Sequence, residues 1–482
     1  MDIKNCNSKL ENLNKNIIVI TLFENEKIET DFEELNLISK DFEGKYNKIE
    51  TINTFINNDM IKVCLVGLGN KEHLNNEKIR ILGGNLSKKL KLMIKKDSIN
   101  VDILENNLCE DGIYALVEGI ILGDYDFKKY KTDYKAKAID NIVIYTKENV
   151  SKGIEKAKIL AKATIIARDL VNEPANVIYP ETLANEVINL GKEYGFEVEV
   201  YEQEKIEELK MDAFLAVAKG SEKKPRFIVM RYIPNKESKE ILGLVGKGLT
   251  FDTGGYSIKP TGSMVNMKTD MGGAASVIGA MCAIVEDKLD KNVVAVVAAC
   301  ENAIAGNAYK PGDIINSMGK KTIEILNTDA EGRLTLADAV YYIVNNEKVT
   351  SVLDIATLTG AAMVALGTVT SAVITNNDEF YNELEKAVSL SGEKIWKMPV
   401  FDEYKDLIKG SEADLKNSPG RDGGCITAGL FVGEFVGDTP WLHVDIAGTS
   451  ESNKSVGYKS KGATGEGVRT LYYLARDKKQ YV

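Results

Sequence analysis

Short segments rich in branched apolar residues alternate with helical patterns through the second half of this 482-residue chain, and this alternation limits the fold more than any other feature. Strands that alternate with helices favour a mostly parallel sheet with helices on both faces. The strands are predicted at Phe196–Tyr201, Arg226–Tyr232, Ile241–Val245, Val293–Ala299, Thr322–Leu326, Ser351–Ile355 and Trp441–Ile446. We therefore expect an α/β fold whose larger C-terminal domain contains a mostly parallel, helix-flanked mixed sheet.

The first 150 residues predict a small α/β domain of their own. Branched residues indicate strands, and helical periods fill the segments between them. The strands are predicted at Ile17–Leu22, Ile61–Val66, Val101–Leu104 and Ile142–Tyr145, and the helices at Lys78–Lys95 and Gly112–Leu122. A long helix over residues 151–170 then links this domain, residues 1–150, to the C-terminal domain, residues 171–482, and prolines at 174 and 180 stop regular structure after it.

Polar residues follow several predicted strands of the second half. Lys247, Glu301 and Asp329 each come shortly after a strand, and Thr357 and Gly360 follow Ser351–Ile355. Open α/β sheets bind ligands at the carboxyl edge of their strands. The candidate site therefore belongs to the C-terminal domain.

The densest group of charged residues lies in Asn327–Leu334, with the sequence NTDAEGRL. An apolar run precedes it and a helical pattern follows, which indicates a strand-to-helix turn. In an extended segment, residues two apart face the same way, so Asp329, Glu331 and Arg333 could point into one pocket. The structural alternative is that Asp329 caps the following helix and Arg333 is its solvated partner.

A second dense segment, Val245–Pro260, contains four glycines within eleven residues, which implies backbone bent tightly around something. Lys247, Asp252 and Lys259 are the polar groups in its otherwise small or apolar context. Asp270 follows just before a predicted helix at about Gly273–Glu286. A helix N-terminus stabilises a carboxylate, so each feature has a structural explanation by itself, whereas the set as a whole does not.

Composition restricts the chemistry of the site. With only two histidines, His73 and His443, a histidine-based zinc site or a Ser-His-Asp triad is nearly excluded, so carboxylates must carry any metal chemistry. Six scattered cysteines without close pairs indicate free thiols in a reducing compartment. The polar N-terminus and the lack of a long apolar run predict a cytoplasmic protein without membrane attachment. The net charge of -10 argues against a nucleic-acid partner.

Taken together, these motifs resemble the leucyl aminopeptidases, also called cytosol aminopeptidases, a family of peptidases with two metal ions. Asn327–Leu334 matches the family signature throughout, and Lys247, Asp252, Lys259 and Asp270 lie where other site residues of the family lie. The resemblance extends from about Arg168 to Arg476 and includes NEPAN at 172–176, TLTGA at 357–361, Tyr404, Asp414 and WLHVDIAG at 441–448. Residues 1–150 match only in general pattern.

The resemblance implies a ligand set for the two ions. Asp252 and Glu331 would bridge them, Asp329 would complete one site, and Lys247 and Asp270 would complete the other. Lys247 must then bind as a neutral amine, although a free lysine titrates near ~10.4. Oxygen-rich ligation leaves Zn²⁺, Mn²⁺, Co²⁺ and Mg²⁺ open, of which Mn²⁺ or Zn²⁺ is expected.

The resemblance also implies the remaining roles. Lys259 would polarise the scissile carbonyl and stabilise its oxyanion, and Arg333 would hold a bicarbonate that acts as general base. The pocket for the first side chain would be lined by Met267, Thr357, Leu358, Gly360 and Ala463. Their apolar or small character predicts a preference for Leu- or Met-like residues in the substrate. Any one of these five residue types is more often found in a hydrophobic core without a role in binding. Tyr256 and Glu466-Gly467 depart from the family pattern, and the second departure bears on the pocket.

The implied function is a metal-dependent aminopeptidase that releases N-terminal residues from peptides through a hydroxide bridging two metal ions. The family further implies a homohexamer, in which residues 1–150 would serve assembly or regulation. Two alternatives stay open: a dinuclear phosphoesterase, and a DNA-binding or scaffolding protein on the same fold. His443, which alternates with Asp445 in an apolar strand, is interpreted as a core histidine.

Overall fold

The computed structural model describes residues 1–7, 17–28, 30, 32–56, 59–94, 98–105, 108–135 and 137–476. Within it the chain forms two compact units. The N-terminal unit comprises Met1–Lys162 together with Lys454–Lys461, and the C-terminal unit comprises Ala163–Asn453 with the residues from Gly462 onward. The short segment 454–461 thus returns to the first unit, which no sequence pattern indicated.

The N-terminal unit is built on a six-stranded sheet in the order β1-β6-β5-β2-β4-β3, parallel except for the antiparallel pair β3–β4. Its strands are β1 (Asp2–Cys6), β2 (Ile17–Phe23), β3 (Ile49–Ile56), β4 (Asp59–Gly69), β5 (Ser98–Leu104) and β6 (Ala138–Tyr145). Its helices are α1 (Glu33–Ile38), α2 (Asn76–Met93), α3 (Glu110–Asp124) and the first part of α4 (Ser151–Asn172). All seven residues of β2 are buried, as expected for a central strand covered on both faces.

The four predicted strands and two predicted helices of this unit are present, and β1, β3 and α1 were missed. The strand β3 lies at the edge of the sheet and alternates exposed with half-buried residues, so it lacks the continuous apolar run of its neighbours. The predicted end of a helix at Lys95 lies outside the described residues.

The C-terminal unit contains an eight-stranded mixed sheet in the order β15-β14-β17-β13-β9-β10-β8-β7. The four central strands run parallel to one another, whereas β14, β8 and β7 introduce antiparallel pairs. These strands are β7 (Glu197–Tyr201), β8 (Arg226–Tyr232), β9 (Ile241–Asp252), β10 (Asn292–Asn302), β13 (Ser351–Ala356), β14 (Ser371–Thr375), β15 (Ile395–Lys397) and β17 (Trp441–Asp445). The predicted α/β class, with a small N-terminal part and a mixed, mostly parallel central sheet, is confirmed.

Helices cover both faces of this sheet. They are the end of α4, α5 (Pro180–Tyr194), α6 (Gln203–Glu208), α7 (Asp212–Ala218), α8 (Thr261–Met264), α9 (Gly272–Glu286), α10 (Gly332–Asn345), α11 (Gly360–Leu366), α12 (Asp378–Ser391), α13 (Asp402–Leu407), α14 (Gly424–Gly433) and α15 (Val468–Ala475). The main core lies between the sheet and α7, α10 and α14. None of the helices in the described part of the chain is long and apolar enough to cross a membrane.

The prediction of a strand over Thr322–Leu326 in the main sheet is wrong. Only Ile323–Glu324 form a strand, β12, and it belongs to a separate three-stranded sheet with β11 (Ile314–Ile315) and β16 (Leu415–Lys416). The Ile325 N–H still donates to the Asp313 carbonyl next to β11, whereas the Leu326 N–H donates to Asn417 Oδ1 and leaves the sheet. A further pair, β18 (Glu451–Ser452) and β19 (Gly462–Ala463), forms a small hairpin.

The strand β9 is longer than expected, so Lys247 and Asp252 lie inside it rather than after it. Its pairing with β10 shifts by one residue between Cys300 and Glu301, which leaves Thr250 as an extra residue. A bulge of this kind inverts the alternation of side chains that follow it. Asp252 therefore lies on the same face of the sheet as Lys247, five residues earlier.

The helix α9 approaches the centre of the sheet very closely because glycines face each other there. A Cβ on Gly273 would lie 2.0 Å from the Ile355 carbonyl oxygen, and one on Gly246 would lie 2.6 Å from Ala274 Cα. No side chain fits at either position. The contact fixes the N-terminus of α9, and with it Asp270, against β9 and β13.

We predict that Gly273→Ala lowers the free energy of unfolding by about 1–3 kcal/mol, because the added methyl group forces α9 off the sheet. The measurement is urea unfolding followed by circular dichroism. Gly306→Ala is the matched control, since a Cβ there has nothing within 4 Å and the residue is exposed. Equal stability of the two variants would contradict the close approach.

Candidate metal centre

Three separate segments bring carboxylates to one place at the carboxyl edge of the central strands. Asp252 ends β9, and Asp329 and Glu331 lie in the turn before α10. Among the described residues, Asp252, Asp329 and Glu331 each offer an oxygen atom within 4.8 Å of the others. Asp270, in the 3₁₀ turn Met267–Met271 before α9, joins this group through a lysine.

Lys247 is that lysine. Its Nζ donates to Asp270 Oδ1 at 2.8 Å and to the Thr357 carbonyl at 3.0 Å, and it lies 3.0 Å from Glu331 Oε1. A Cβ on Gly332 would meet the Lys247 side chain at 2.5 Å, so the glycine of the NTDAEGRL signature makes room for the lysine. Lys247, itself on β9, thus contacts acids of the other two segments.

Lys259 lies on the other side of the cluster. Its Nζ pairs with Asp252 Oδ2 at 2.8 Å and with Asp329 Oδ1 at 2.5 Å. The preceding loop folds tightly over Asp329, since Gly254 has φ +85 and a Cβ on it would lie 2.8 Å from Asp329 Oδ1. A left-handed φ of this kind favours glycine, which explains the glycine-rich sequence.

Burial and like charge set the protonation of the acids. Burial, together with the charge of Asp252, raises the pKa of Glu331 to about 8, against the opposing effect of Lys247. Burial likewise raises the pKa of Asp270 to about 6, against the opposing effect of Lys247. Burial lowers the pKa of each lysine, but the surrounding carboxylates more than reverse this, so the pKa values of Lys247 and Lys259 both lie above the ordinary value.

The donor set fits divalent cations. Four carboxylates, those of Asp252, Asp270, Asp329 and Glu331, face only two ammonium groups. Asp270 Oδ2 and Glu331 Oε2 are buried and have no hydrogen-bond partner within the described structure. Buried oxygen atoms of this kind are costly unless a cation or a donor satisfies them. Lys247 could join as a ligand only after losing its proton, which the charge of bound cations favours.

Arg333 departs from the geometry that the sequence suggested. The backbone at Glu331 is helical (φ -80, ψ -37) and Arg333 lies in the first turn of α10, so the extended register that would align the two side chains does not exist. Arg333 is nonetheless buried, its Nε has no hydrogen-bond partner in the described structure, and burial lowers its pKa to about 10. A buried guanidinium with a free donor suits an anion.

The loop after β13 is tied to the same cluster. Thr357 Oγ1 donates to Asp270 Oδ1 at 2.8 Å, and Leu358 N donates to Asp445 Oδ1 at 3.1 Å. Thr359 Oγ1 donates to the other oxygen of Asp445 at 2.6 Å and caps α11 through the amide of Ala362. Asp445 therefore shapes the loop, a role that sequence reasoning did not assign.

The other expected pocket residues lie on several elements. Met267 begins the 3₁₀ turn that carries Asp270, Gly360 is exposed at the start of α11, and a Cβ on Gly272 would meet Thr357 Cγ2 at 3.2 Å. Ala463 is buried in β19, and its amide donates to Asn172 Oδ1 at 3.1 Å. Their roles as a substrate pocket stay a prediction.

His443 is fully buried and lies outside the carboxylate cluster. Its Nδ1 lies 2.5 Å from Asp354 Oδ1, and the same carboxylate accepts a hydrogen bond from Trp441 Nε1 at 2.7 Å. Burial lowers the pKa of His443, but the charge of Asp354 outweighs it and raises the pKa overall.

Sequence reasoning missed several residues that hold the turn before α10. Asn417 is fully buried; its Oδ1 accepts from the amides of Leu326 and Asn327, and its Nδ2 donates to the Asn327 carbonyl. Tyr309 Oη donates to the Thr328 carbonyl at 2.8 Å. No local motif marks either residue, because both act across long sequence separations.

Comparison with known proteins agrees with this geometry. Residues 165–472 match the family model of the cytosol aminopeptidase family, catalytic domain, and residues 27–134 match the model of its N-terminal domain. A probable cytosol aminopeptidase of Clostridium perfringens is 53% identical over 452 residues, which cover 92% of this chain and 92% of that protein. A probable cytosol aminopeptidase of Treponema denticola is 47% identical over 466 residues, covering 95% and 97%.

Among solved structures, the bottromycin maturation enzyme BotP in complex with Mn superposes with a TM-score of 0.86. The two chains are 28% identical, and the match covers 96% of this chain and 99% of that one. Two family models and relatives matched over nearly their whole length leave one assignment: this chain belongs to the cytosol aminopeptidase family and is a metal-dependent aminopeptidase.

Proposed function

We propose that two divalent cations bind between Lys247, Asp252, Asp270, Asp329 and Glu331 and that the enzyme removes N-terminal residues, Leu- or Met-like ones by preference, from peptides. The observation that carries the proposal is the excess of buried carboxylates over lysines, with Asp270 Oδ2 and Glu331 Oε2 unpartnered in the described structure. When bound, two such ions would supply Lewis-acid chemistry to a peptide that has a free α-amine, by activating water and polarising the scissile carbonyl. Glu331 lies next to Lys247, and Asp252 lies next to Lys259. These two acids are the proposed ligands shared by both ions.

Lys259 is the proposed electrophilic residue. As an ammonium group held by Asp252 and Asp329, it can donate to the oxyanion that forms on the scissile carbonyl. Its side chain is the more exposed of the two lysines, 15% against 2% for Lys247. The difference supports contact with substrate by Lys259 and ligation by Lys247.

Arg333 is the proposed holder of bicarbonate, which would act as general base. The Nε of Arg333, which has no hydrogen-bond partner in the described structure, offers an anion a charge-assisted donor. A permanent carboxylate side chain in place of the anion would repel the nearby Glu331 and Asp445. Manganese or zinc is proposed as the metal; the Mn named for BotP and the oxygen-rich ligands support manganese.

The pocket for the first side chain is proposed to be formed by Met267, Thr357, Leu358, Gly360 and Ala463. We further propose a cytoplasmic homohexamer in which residues 1–150 serve assembly or regulation, residues 151–170 link the domains and residues 171–482 carry catalysis. The relatives named cytosol aminopeptidase support the location. The phosphoesterase and DNA-binding alternatives are not favoured, since both family models belong to a peptidase family.

Glu331→Gln should reduce turnover of Leu-p-nitroanilide by at least 100-fold and lower the number of bound Mn²⁺ ions, because the bridging charge is lost. Metal content after dialysis and steady-state kinetics measure the two effects. Glu301→Gln is the matched control: this carboxylate also lies near the end of a central strand but bonds to Ser221 Oγ at 2.6 Å. Wild-type metal content in Glu331→Gln would refute its role as a ligand.

Lys259→Ala should lower kcat by about 10²–10³-fold, the typical effect of removing one oxyanion donor, while both ions stay bound. Lys247→Ala, by contrast, should lose metal. Parallel metal analysis and kinetics on the two variants distinguish the roles, and loss of ions from the Lys259 variant would mean that the two lysines are assigned the wrong way round.

Acetylation of the substrate α-amine should stop hydrolysis, because the proposed site recognises a free amine. The measurement compares Leu-p-nitroanilide with N-acetyl-Leu-p-nitroanilide, and p-nitrophenyl phosphate tests phosphoesterase activity on the same preparation. Hydrolysis of the acetylated substrate at a comparable rate would indicate an endopeptidase.

A further inference from the structure

Two neighbouring strands of the C-terminal sheet end side by side at the metal centre. Asp252 is the last residue of β9 and Asn302 is the last residue of β10, and the two are register partners after the bulge. Asn302 is fully buried. A buried side-chain amide at the end of a strand is costly unless it makes specific hydrogen bonds.

The amide nitrogen of Asn302 bonds to two different segments of the site. Nδ2 donates to Asp252 Oδ1 at 2.8 Å and to the Thr328 carbonyl oxygen at 3.0 Å. Thr328 immediately precedes Asp329 in the turn before α10. One nitrogen atom therefore joins the carboxylate at the end of β9 to the backbone of the segment that carries the other two acids.

The bond to Asp252 also fixes the rotation of its carboxylate. Oδ1 accepts from Asn302 Nδ2 and from the Gly254 amide, both at 2.8 Å, which leaves Oδ2 to face Lys259. The backbone of Asn302 adds a third connection, since its carbonyl accepts from the amide and the hydroxyl of Thr253, each at 2.9 Å.

The side-chain amide of asparagine suits the geometry and the charge at this position. A single atom must donate two hydrogen bonds, one to Asp252 Oδ1 and one to the Thr328 carbonyl. A further negative charge here would be repelled by Asp252. Aspartate has the shape but lacks the donors, and serine has a single donor. The Oδ1 of Asn302 has no hydrogen-bond partner in the described structure, so the donor side alone accounts for the orientation of the amide.

We propose that Asn302 is a positioning residue that sets the separation and orientation of Asp252 relative to Asp329 and Glu331, and thereby the affinity of the site for its cations. The inference rests on the proposed ligation of two cations by these carboxylates. Hydrogen-bond partners of metal ligands commonly affect metal affinity or activity by 10–100-fold.

The test is Asn302→Leu, which keeps the approximate size and shape of the side chain and removes both donors without adding a charge. Isothermal titration with Mn²⁺ should show two sites in the wild type and, in the variant, a weakening of at least one of them by 10–100-fold. At limiting Mn²⁺ the kcat for Leu-p-nitroanilide should fall by a similar factor, and raised Mn²⁺ should recover part of it. The KM should change by less than about threefold.

The matched control is Asn292→Leu, at the other end of the same strand. Asn292 is also buried, and its Nδ2 donates to the carbonyls of Asn235 and Ser238. This substitution should lower thermal stability while leaving Mn²⁺ affinity and its coupling to kcat unchanged. Equal loss of Mn²⁺ affinity in both variants would reduce the role of Asn302 to general stability and overturn the proposal.

Two further variants separate the two bonds of Asn302. Tyr309→Phe removes the other side-chain donor to the Thr328 carbonyl and leaves Asp252 untouched, so it should weaken Mn²⁺ binding less than Asn302→Leu does. If Asn302→Leu does not fold, Asn302→Ser, which keeps one donor, should show a smaller loss of affinity. Wild-type Mn²⁺ affinity in a folded Asn302 variant, or an equal effect of Tyr309→Phe, overturns the bridging role.

The wild type distinguishes this inference from the function on which it rests. Wild-type protein that binds two Mn²⁺ ions, together with variants that bind them equally well, overturns only the role of Asn302. Wild-type protein that binds fewer than two ions at this site overturns the proposed ligation itself, and the role of Asn302 fails with it.

Discussion

The mutual repulsion of four carboxylates, three of them buried, is the constraint on which the site depends. Two lysines neutralise half of that charge in the described structure, and each lies between ligands from different segments. Burial raises the pKa of Glu331 and Asp270. The raised pKa values reflect the free energy that it costs to bring the ionised carboxylates together in the protein. Divalent cations at the proposed site would remove that cost, so metal binding would stabilise this edge of the sheet.

The fold supports this concentration of charge through backbone rather than through side chains. Gly332 makes room for Lys247, Gly254 lets the loop fold over Asp329, and the Gly246–Gly273 contact brings α9 against the sheet. Uncharged polar side chains then fix the backbone. Asn302 and Tyr309 donate hydrogen bonds to the Thr328 carbonyl, and Asn417 donates one to the Asn327 carbonyl. These side chains supply hydrogen-bond donors without adding negative charge, which the neighbouring carboxylates would repel.

Much of the site could be predicted from the sequence because its chemistry is concentrated in short motifs. The α/β class followed from alternating strand and helix patterns, and the absence of usable histidines pointed to carboxylate ligation. The prediction failed where local pattern and tertiary pairing differ. Residues 322–326 read as a strand of the main sheet, but only two of them pair, in a different sheet. Arg333 was aligned with Glu331 by an extended register, whereas the helix begins at Gly332.

The sequence by itself determined which chemical groups the protein has available: acids, two well-placed lysines and glycines where the backbone must bend or approach closely. Only the tertiary structure decided which of them meet. The bulge at Thr250 turns Asp252 toward Lys247, and the ends of β9 and β10 place Asn302 beside Asp252. Both outcomes depend on how one strand pairs with another, and that pairing is set by packing over the whole sheet, which no single stretch of residues encodes.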